Sequence, residues 1–336
     1  MAAAVTRLRP GTRLAEMRDA ATSPPHRPSP RDAAKPGFVV AGHHIAAAKL
    51  APGLHVVATP IGNLGDVTLR ALATLAGADL IACEDTRVTR KLLDHYGIAT
   101  PLTPYHEHNA EKVRPQLLRR LSEGAAIALV SDAGTPLISD PGFKLVRAVH
   151  EAGRSVVALP GSSAVLAALS VAGLPTDQFF FAGFLPPKAA ARRARIAELA
   201  RIPSTLVIFE TGPRVATTLT DLAAALGARD AALCRELTKL HEEVRRGDLA
   251  ALAQDCAGRE RRGEIVLVIG PPSSPERPSA ADTDALLRQA LARVSLKDAV
   301  AEVADVTGLP RRELYQRALA LMQGESGGGG SDGAPR

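Results

Sequence analysis

Short apolar runs alternate with amphipathic segments along most of the chain. Four runs have the length of buried strands and end in small, charged, Gly or Pro residues, at residues 54–59, 79–83, 127–130 and 155–159. Segments with apolar residues at helical spacing lie between or beside them, at residues 66–76, 111–122, 143–151 and in a stretch ending near 96. This β-α-β-α order predicts an α/β fold with a mainly parallel sheet covered on both faces.

A second α/β unit follows. Its predicted strands are residues 178–182, 205–209, 231–235 and 264–269, and its predicted helices are 189–201 and 214–226. Residues 281–322 are predicted to be helical with a break at 307–310, a shape that fits either a helix-turn-helix nucleic-acid reader or a plain two-helix appendage. The predicted organisation is a disordered extension at 1–52, an N-terminal α/β domain at 53–162, a C-terminal α/β domain at 163–272, a helical appendage at 280–323 and a flexible tail at 324–336.

Composition narrows the class of protein. No apolar run approaches the roughly 20 residues needed to cross a bilayer. The three cysteines are far apart and form no CxxC pair, which argues against a disulfide framework and against a structural zinc site. The simple expectation is a cytoplasmic protein in a reducing compartment, without a metal.

The net charge of +6 comes mostly from the N-terminal tail, where residues 1–50 hold eight Lys/Arg and three Asp/Glu. Overall basicity therefore gives no argument for nucleic acid. Residues 188–201 are the exception, because they hold five basic side chains against Glu198 alone. This cluster is either a contact for a phosphate backbone or a solvated helix face.

Four loops leave the carboxyl ends of predicted parallel strands, at residues 59–65, 84–87, 131–142 and 160–163. In a doubly wound sheet such loops gather on one edge and form a cleft. Neither G-x-G-x-x-G nor G-x-x-x-x-G-K-[ST] is present, so a P-loop nucleotide hydrolase is disfavoured. The serines of these loops also lack the G-x-S-x-G elbow of hydrolases.

Two of the polar segments could act on a substrate. His106 and His108 lie in a Pro-flanked loop that is either a solvated loop or a substrate-binding or proton-handling loop; further ligands for a metal are not evident. In the segment 84–87, Asp85 and Arg87 form either a surface ion pair or a pair that binds a substrate hydroxyl and a phosphate.

The motifs, taken in order, resemble those of the 16S rRNA cytidine 2′-O-methyltransferase family of the tetrapyrrole-methylase superfamily. The matching segments are Thr59-Pro-Ile-Gly-Asn-Leu-Gly-Asp66, Glu84-Asp-Thr-Arg87, Tyr105-His-Glu-His-Asn109, Ser131-Asp-Ala-Gly-Thr-Pro136, Ala172-Gly-Leu-Pro175, Gly183-Phe-Leu-Pro-Pro-Lys188 and Arg235-Glu-Leu-Thr-Lys239. The resemblance covers about residues 53–322. Ser162 departs from it, since the family usually has proline there, and segment 210–214 is a variant of a family segment.

The resemblance implies two α/β domains, the second with a mixed sheet, and a homodimer that methylates 16S rRNA in the small ribosomal subunit with S-adenosylmethionine as donor. The residues to which it assigns donor binding are Pro60, Gly62, Asn63, Asp132, Ala133, Gly134, Thr135, Ser162, Ser163 and Glu210. The hydroxyl contact is expected from Asp85, His106 or His108, and the phosphate contact from Arg87 or Lys188.

Two other functions stay open at this point. One is a methylase of the same superfamily that acts on a small tetrapyrrole-like ring. The loop 105–109 and the basic cluster at 188–201 disfavour it. The other is a non-catalytic RNA-binding protein that uses residues 281–322 and binds no methyl donor.

Overall fold

A computed structural model describes residues 6–7, 36–138, 142–258, 261–272 and 279–326, which divide into two compact units, Met1–Pro271 and Pro272–Arg336. The strands are β1 (Thr6–Arg7), β2 (Gly37–Val40), β3 (His43–Ala46), β4 (Gly53–Val57), β5 (Leu80–Cys83), β6 (Leu102–Pro104), β7 (Ala126–Val130), β8 (Val156–Leu159), β9 (Phe179–Phe184), β10 (Thr205–Thr211), β11 (Asp230–Arg235), β12 (Glu243–Asp248) and β13 (Glu264–Ile269). The helices of the first unit are α1 (Leu69–Gly77), α2 (Thr86–His95), α3 (Ala110–Ser122), α4 (Phe143–Glu151), α5 (Ala164–Ala172), α6 (Ala189–Leu199), α7 (Gly212–Leu226) and α8 (Leu249–Cys256).

The described residues of the first unit form three sheets: two large ones, each at the centre of a lobe, and the two-stranded sheet of β2 and β3. The first lobe is a five-stranded, wholly parallel sheet in the order β6-β5-β7-β4-β8 with helices α1 to α4. Leu72 and Leu92 pack on one face of this sheet, while Leu117 and Leu145 pack on the other. The central strands β4 and β7 are buried along their whole length because both faces are covered. The predicted parallel sheet is confirmed.

The second lobe is a mixed sheet in the order β1-β12-β11-β13-β10-β9 with helices α5 to α8, and only β9 and β10 pair in parallel. The sequence pattern did not predict α5, β12 or α8. The sequence of β12 is polar, and its one buried residue is Arg245, which forms ion pairs with Glu243 and Asp255. Such a strand lacks the apolar alternation by which a strand is predicted.

The hairpin of β2 and β3 corrects the predicted disorder of residues 1–52 over its last part. Phe38 is 2% exposed and belongs to the same core as α1 and α2, and the Val39 N–H donates to the Tyr96 carbonyl at 2.7 Å. Two four-residue strands are too short to show a period in the sequence, so the polar and Pro-rich composition around them decided the prediction. The strand β1 also falls in the predicted extension and pairs with β12, whereas residues 1–5 and 8–35 lie outside the described residues.

The described part of the second unit, residues 279–326, holds three helices, α9 (Ala280–Leu291), α10 (Leu296–Thr307) and α11 (Arg311–Ser326). Leu287, Val300 and Leu314 form its core. The predicted single break misses the turn before α10, where the Ser295 hydroxyl accepts the Asp298 N–H as a helix cap. Residues 280–326 hold six Lys/Arg and seven Asp/Glu, so the unit is not basic. The predicted flexible tail lies outside the described residues from 327 onward.

Candidate active site

The four loops that the sequence placed at the carboxyl ends of parallel strands come together on one edge of the first lobe. Thr59 and Gly134 form a two-bond antiparallel bridge, with N···O distances of 2.8 and 3.0 Å. The Asp85 N–H donates to Asp132 Oδ1 at 2.9 Å, and the Thr135 hydroxyl donates to the Ser162 carbonyl at 3.2 Å. Backbone and side-chain hydrogen bonds therefore hold the four loops in one arrangement.

A cavity of about 370 Å³ lies between these loops and the second lobe. Its lining from the first lobe and from the start of α5 is Ile61, Glu84, Asp132, Ala133, Gly134, Thr135, Ile138, Ser163, Ala164 and Val165. Its lining from the second lobe's sheet and turns is Phe184, Phe209, Glu210, Thr211, Cys234, Leu237, Glu264, Ile265 and Val266. The wall thus combines a small-residue turn, apolar side chains and several carboxylates, which is the usual composition of a small-molecule site.

The turn 131–138 brings backbone close to the cavity. Gly134 has φ +76°, and a Cβ there would lie 3.3 Å from Ile61 Cγ2. Leu137 also has a positive φ, 74°, which is uncommon for a branched residue. A strained turn beside a cavity indicates a functional position. Residues 139–141 of this predicted loop lie outside the described residues.

Asp85 and Asp132 are two carboxylates in one hydrogen-bonded group with different electrostatics. Arg87 donates side-chain and backbone hydrogen bonds to the Asp85 carboxylate and lowers its pKa to about 2. Partial desolvation by the surrounding loops raises the pKa of Asp132 above its ordinary value, although the residue as a whole stays exposed. Asp85 is therefore a hydrogen-bond acceptor and a poor proton acceptor near neutral pH, whereas Asp132 exchanges a proton more easily.

Glu210 reaches the cavity from the second lobe, but its carboxylate is already hydrogen-bonded. The Thr218 hydroxyl donates to Oε1 at 2.5 Å, the Thr211 N–H donates to Oε2 at 2.8 Å, and Arg214 lies 3.4 Å away. The side chain is fully buried. Arg214 also donates to the Leu185 carbonyl at 2.7 Å. Glu210 therefore fixes the shape of the wall.

Four of the residues predicted to bind the donor lie behind the lining. A Cβ on Gly62 would lie 2.4 Å from Lys239 Cγ, so this glycine permits close packing of the 235–239 turn. The Asn63 side chain accepts the Gly65 N–H, which caps the 3₁₀ turn Leu64–Asp66, and the Ser162 hydroxyl donates to the Asp66 carbonyl. Pro60 precedes Ile61 in the same loop and is buried.

His106, His108 and Lys188 are also outside the cavity lining. The His106 N–H donates to Asn109 Oδ1 at 2.9 Å, and Asn109 in turn donates to the Pro104 carbonyl, which fixes the loop after β6. The two histidine rings are 6.0 Å apart. Lys188 is exposed at the start of α6.

The basic cluster on α6 is smaller than its sequence indicates. Arg192 is 6% exposed, forms a 2.7 Å ion pair with Asp221 and donates to the Pro187 carbonyl. Arg195 pairs with Glu198 at 2.6 Å. Of the five cations that were candidates for a phosphate contact, one is therefore buried in a tertiary ion pair and a second pairs within its own helix.

Several wall residues were missed by the sequence reasoning. Phe184 and Leu237 line the cavity and belong to the family-like segments 183–188 and 235–239. Their place in these segments is a sequence signal that could have predicted them. Phe209 packs edge-to-face on Phe184 with ring centroids 5.5 Å apart. Glu264 begins a buried strand and carried no separate signal.

The part of the chain that the structure describes shows neither a metal-binding cluster nor a membrane-spanning helix. No group of three or more His, Cys, Asp or Glu side chains among them is arranged to hold a metal ion. None of the helices in the described ranges is long and apolar enough to cross a membrane.

Residues 53–253 match the family model of the tetrapyrrole (corrin/porphyrin) methylases, and residues 277–322 match the RsmI C-terminal HTH domain. The chain belongs to the tetrapyrrole methylase family. This membership confirms the methyltransferase class and the α/β fold that the motifs predicted.

Individual curated relatives are similar to this chain over most of its length. Ribosomal RNA small subunit methyltransferase I of Mesorhizobium japonicum is 50% identical over 289 residues, which cover 85% of this chain and 98% of the relative. The protein of the same name from Xylella fastidiosa strain Temecula1 is 48% identical over 79% of this chain and 98% of its own. A crystal structure of diphthine synthase, 15% identical, shares the fold with a TM-score of 0.51 over 65% of this chain and 89% of that chain.

Proposed function

We propose that this protein transfers a methyl group from S-adenosylmethionine to the 2′-oxygen of a cytidine ribose in 16S rRNA of the small ribosomal subunit. The observation that carries the proposal is the cavity walled by the Asp132–Thr135 turn, in a chain half identical to proteins named ribosomal RNA small subunit methyltransferase I. We place the activity in the cytoplasm, because all three cysteines are buried and free.

The cavity fits such a donor in size and chemistry. Its volume lies in the range of small-molecule sites, about 300–1,000 Å³. Gly134 keeps a side chain out of the space beside Ile61, so backbone groups stay accessible, and apolar side chains face a carboxylate-bearing rim. We assign donor contact to the lining residues Asp132, Ala133, Gly134, Thr135 and Ser163. We assign support of this wall to Pro60, Gly62, Asn63, Ser162 and Glu210, because the Glu210 carboxylate is buried and already hydrogen-bonded.

When bound, the donor supplies an electrophilic methyl group on a sulfonium. The contribution of the chain is to position the ribose hydroxyl, which is a large part of such catalysis. We assign orientation of the hydroxyl to Asp85, whose low pKa keeps it an acceptor of hydrogen bonds. Proton acceptance is assigned to His106 or His108, because a histidine ring nitrogen is the most frequent general base in enzymes. Arg87 and Lys188 are assigned to RNA phosphate.

The test is Asp85→Ala, with Asp94→Ala on the same helix as a control of equal charge change. Alanine keeps the backbone N–H that bonds Asp132, so we expect donor affinity within about twofold of wild type and methylation of small subunits lowered by about 100-fold or more. Isothermal titration with S-adenosylmethionine measures the first quantity, and mass-spectrometric mapping of ribose methylation measures the second. Methylation at the wild-type rate would show that the Asp85 role is wrong; no 2′-O-methylcytidine with wild-type protein would overturn the function.

We also propose that the protein is a homodimer. Helix α5 is apolar on both sides, and its outward residues Leu166 and Val171 are 56% and 41% exposed. Val157, on the edge strand β8, is 37% exposed. Exposed apolar residues on one helix and an edge strand are typical of an interface. Light scattering should give twice the chain mass for wild type and the monomer mass for Leu166→Asp with Val171→Asp; a wild-type monomer would contradict this.

A further inference from the structure

The outward face of α2 carries three basic side chains, Arg87, Arg90 and Lys91, all of them exposed. Their i, i+3, i+4 spacing places them on one side of the helix. The helix starts directly after Asp85, whose N–H bonds Asp132 on the cavity wall. This basic face therefore begins at the cavity and extends away from it for about one helical turn.

The charged groups on this face form few ion pairs with the described residues of the protein. Arg87 pairs with Asp85 at 2.6 Å, and its side chain is still 87% exposed. In the described part of the chain Arg90 and Lys91 form no ion pair within 4.0 Å, and Asp94 is the single acidic residue that α2 contains. On α6, by contrast, Arg192 is buried in an ion pair. Cations without protein partners are the ones that can release counterions from a phosphate backbone.

We propose that the α2 face formed by Arg87, Arg90 and Lys91 binds the phosphate backbone of the RNA strand whose target ribose enters the cavity. The inference rests on the proposed function for its substrate. It adds a specific interaction surface, with Arg90 and Lys91 as RNA-binding residues that contact neither the donor nor the reacting atoms. Its consequence is that RNA affinity depends on α2 more than on α6.

The experiment compares Arg90→Gln with Lys91→Gln against a matched control, Arg119→Gln with Arg120→Gln. The control removes the same charge from exposed positions of the same lobe. It does so on the last turn of α3, which precedes β7 and therefore lies at the opposite edge of the sheet. Full-length proteins are titrated with unmethylated small ribosomal subunits and with a single-stranded 16S rRNA oligonucleotide between 50 and 300 mM KCl. Kd for S-adenosylmethionine, KM and kcat are measured beside these titrations.

We expect the α2 double variant to bind RNA roughly fivefold to tenfold more weakly near 100 mM salt. The slope of log K against log salt should fall in magnitude by about 1.4, since each phosphate contact to a single strand contributes about 0.7. KM for subunits should rise with little change in kcat, and donor Kd should stay at the wild-type value. The control should match wild type in every readout. Circular dichroism and the unfolding midpoint check that both variants fold, and Arg90→Glu provides a second, stronger perturbation.

Three results would overturn the inference: unchanged affinity and slope in the α2 variants, equal losses in the α2 and α3 variants, or a loss confined to a third variant, Lys188→Gln with Arg193→Gln on α6. The same measurements distinguish a failure of the proposed function from a failure of this inference. If wild-type protein binds the donor but methylates no subunits, the function is wrong, and the salt slope on the oligonucleotide still decides whether α2 is the RNA-binding face.

Discussion

The two lobes present polar groups to the same cavity in opposite ways. Asp132 of the first lobe is exposed and accepts one backbone N–H, from Asp85. Glu210 of the second lobe is fully buried, and Thr218, Thr211 and Arg214 surround its carboxylate. In the second lobe the Glu210 carboxylate holds the shape of the lobe itself, while the first lobe leaves the Asp132 carboxylate and a small-residue turn at the cavity.

The difference indicates how to find functional groups in such a cavity. A polar side chain that the fold has already satisfied contributes to stability, and its replacement should be measured first as a loss of folding free energy. An accessible side chain is available for a ligand when its pKa is shifted and its polar atoms are not all paired with other protein groups. The following substitutions test whether this division between the lobes holds.

The largest stability effect is expected in the second lobe from Arg192→Ala. Removing one partner of the buried pair with Asp221 leaves an uncompensated charge and should cost about 3 kcal/mol of unfolding free energy. Arg193→Ala, at the exposed neighbouring position, should cost less than about 0.5 kcal/mol. Urea unfolding of both variants measures the difference, and equal effects would contradict the assignment of Arg192 to the fold.

Glu210→Gln should destabilise the protein by about 1–2 kcal/mol. In the wild-type protein the Thr218 hydroxyl and the Thr211 N–H both donate hydrogen bonds to the carboxylate. The glutamine amide would place its own N–H groups against one of these donors and so lose a hydrogen bond. Glu264→Gln is the control, since that side chain also lines the cavity but is 77% exposed beside Lys239, and it should cost less than 1 kcal/mol. Thermal and urea unfolding compare the two; a larger loss in Glu264→Gln would break the comparison.

Gly134→Ala should lower both donor affinity and stability. The positive φ of Gly134 costs any L residue about 1–2 kcal/mol, and its Cβ would also meet Ile61 at 3.3 Å. Gly153→Ala is matched for strain, with φ +64° and no atom within 4 Å of the added Cβ. We expect similar unfolding midpoints for the two variants and a donor Kd raised about tenfold or more only in Gly134→Ala. Isothermal titration decides, and equal donor affinities would show that the turn does not hold the donor.

Of the four substitutions, Asp132→Asn should have the smallest effect on stability. It should stabilise the protein at pH 7, whereas the other three destabilise it. Because the folded protein raises the pKa of Asp132, the native state binds the proton more tightly than the unfolded state. Stability from this group is full below about pH 3.8 and is lost as pH rises through the raised pKa. At pH 7 the neutral amide should therefore stabilise the fold by less than about 1 kcal/mol and still weaken donor binding. Unfolding at pH 4 and pH 7 checks the sign; a destabilised Asp132→Asn at pH 7 would contradict it.

Much of the fold was predictable because the first lobe is built from continuous apolar strands. The sequences of β4 and β7 are apolar for the simple reason that helices cover both faces. The hairpin of β2 and β3 and the strand β12 were missed, since their burial depends on distant partners. Phe38 is buried by α1 and α2, and Arg245 by charges on a later helix.

The sequence by itself determined the alternation of strands and helices in the first lobe, the edge of the parallel sheet where the loops meet, and the motifs that define the family. These features follow from local composition and spacing along the chain. The tertiary structure alone decided which polar groups remain available. Arg192 is like Arg90 and Lys91 in the sequence. In the folded protein it pairs with Asp221, which lies on another helix, whereas the other two cations form no ion pair with the described residues. The availability of a charged group depends on neighbours in space, because desolvation and ion pairing act through distance and not through sequence order.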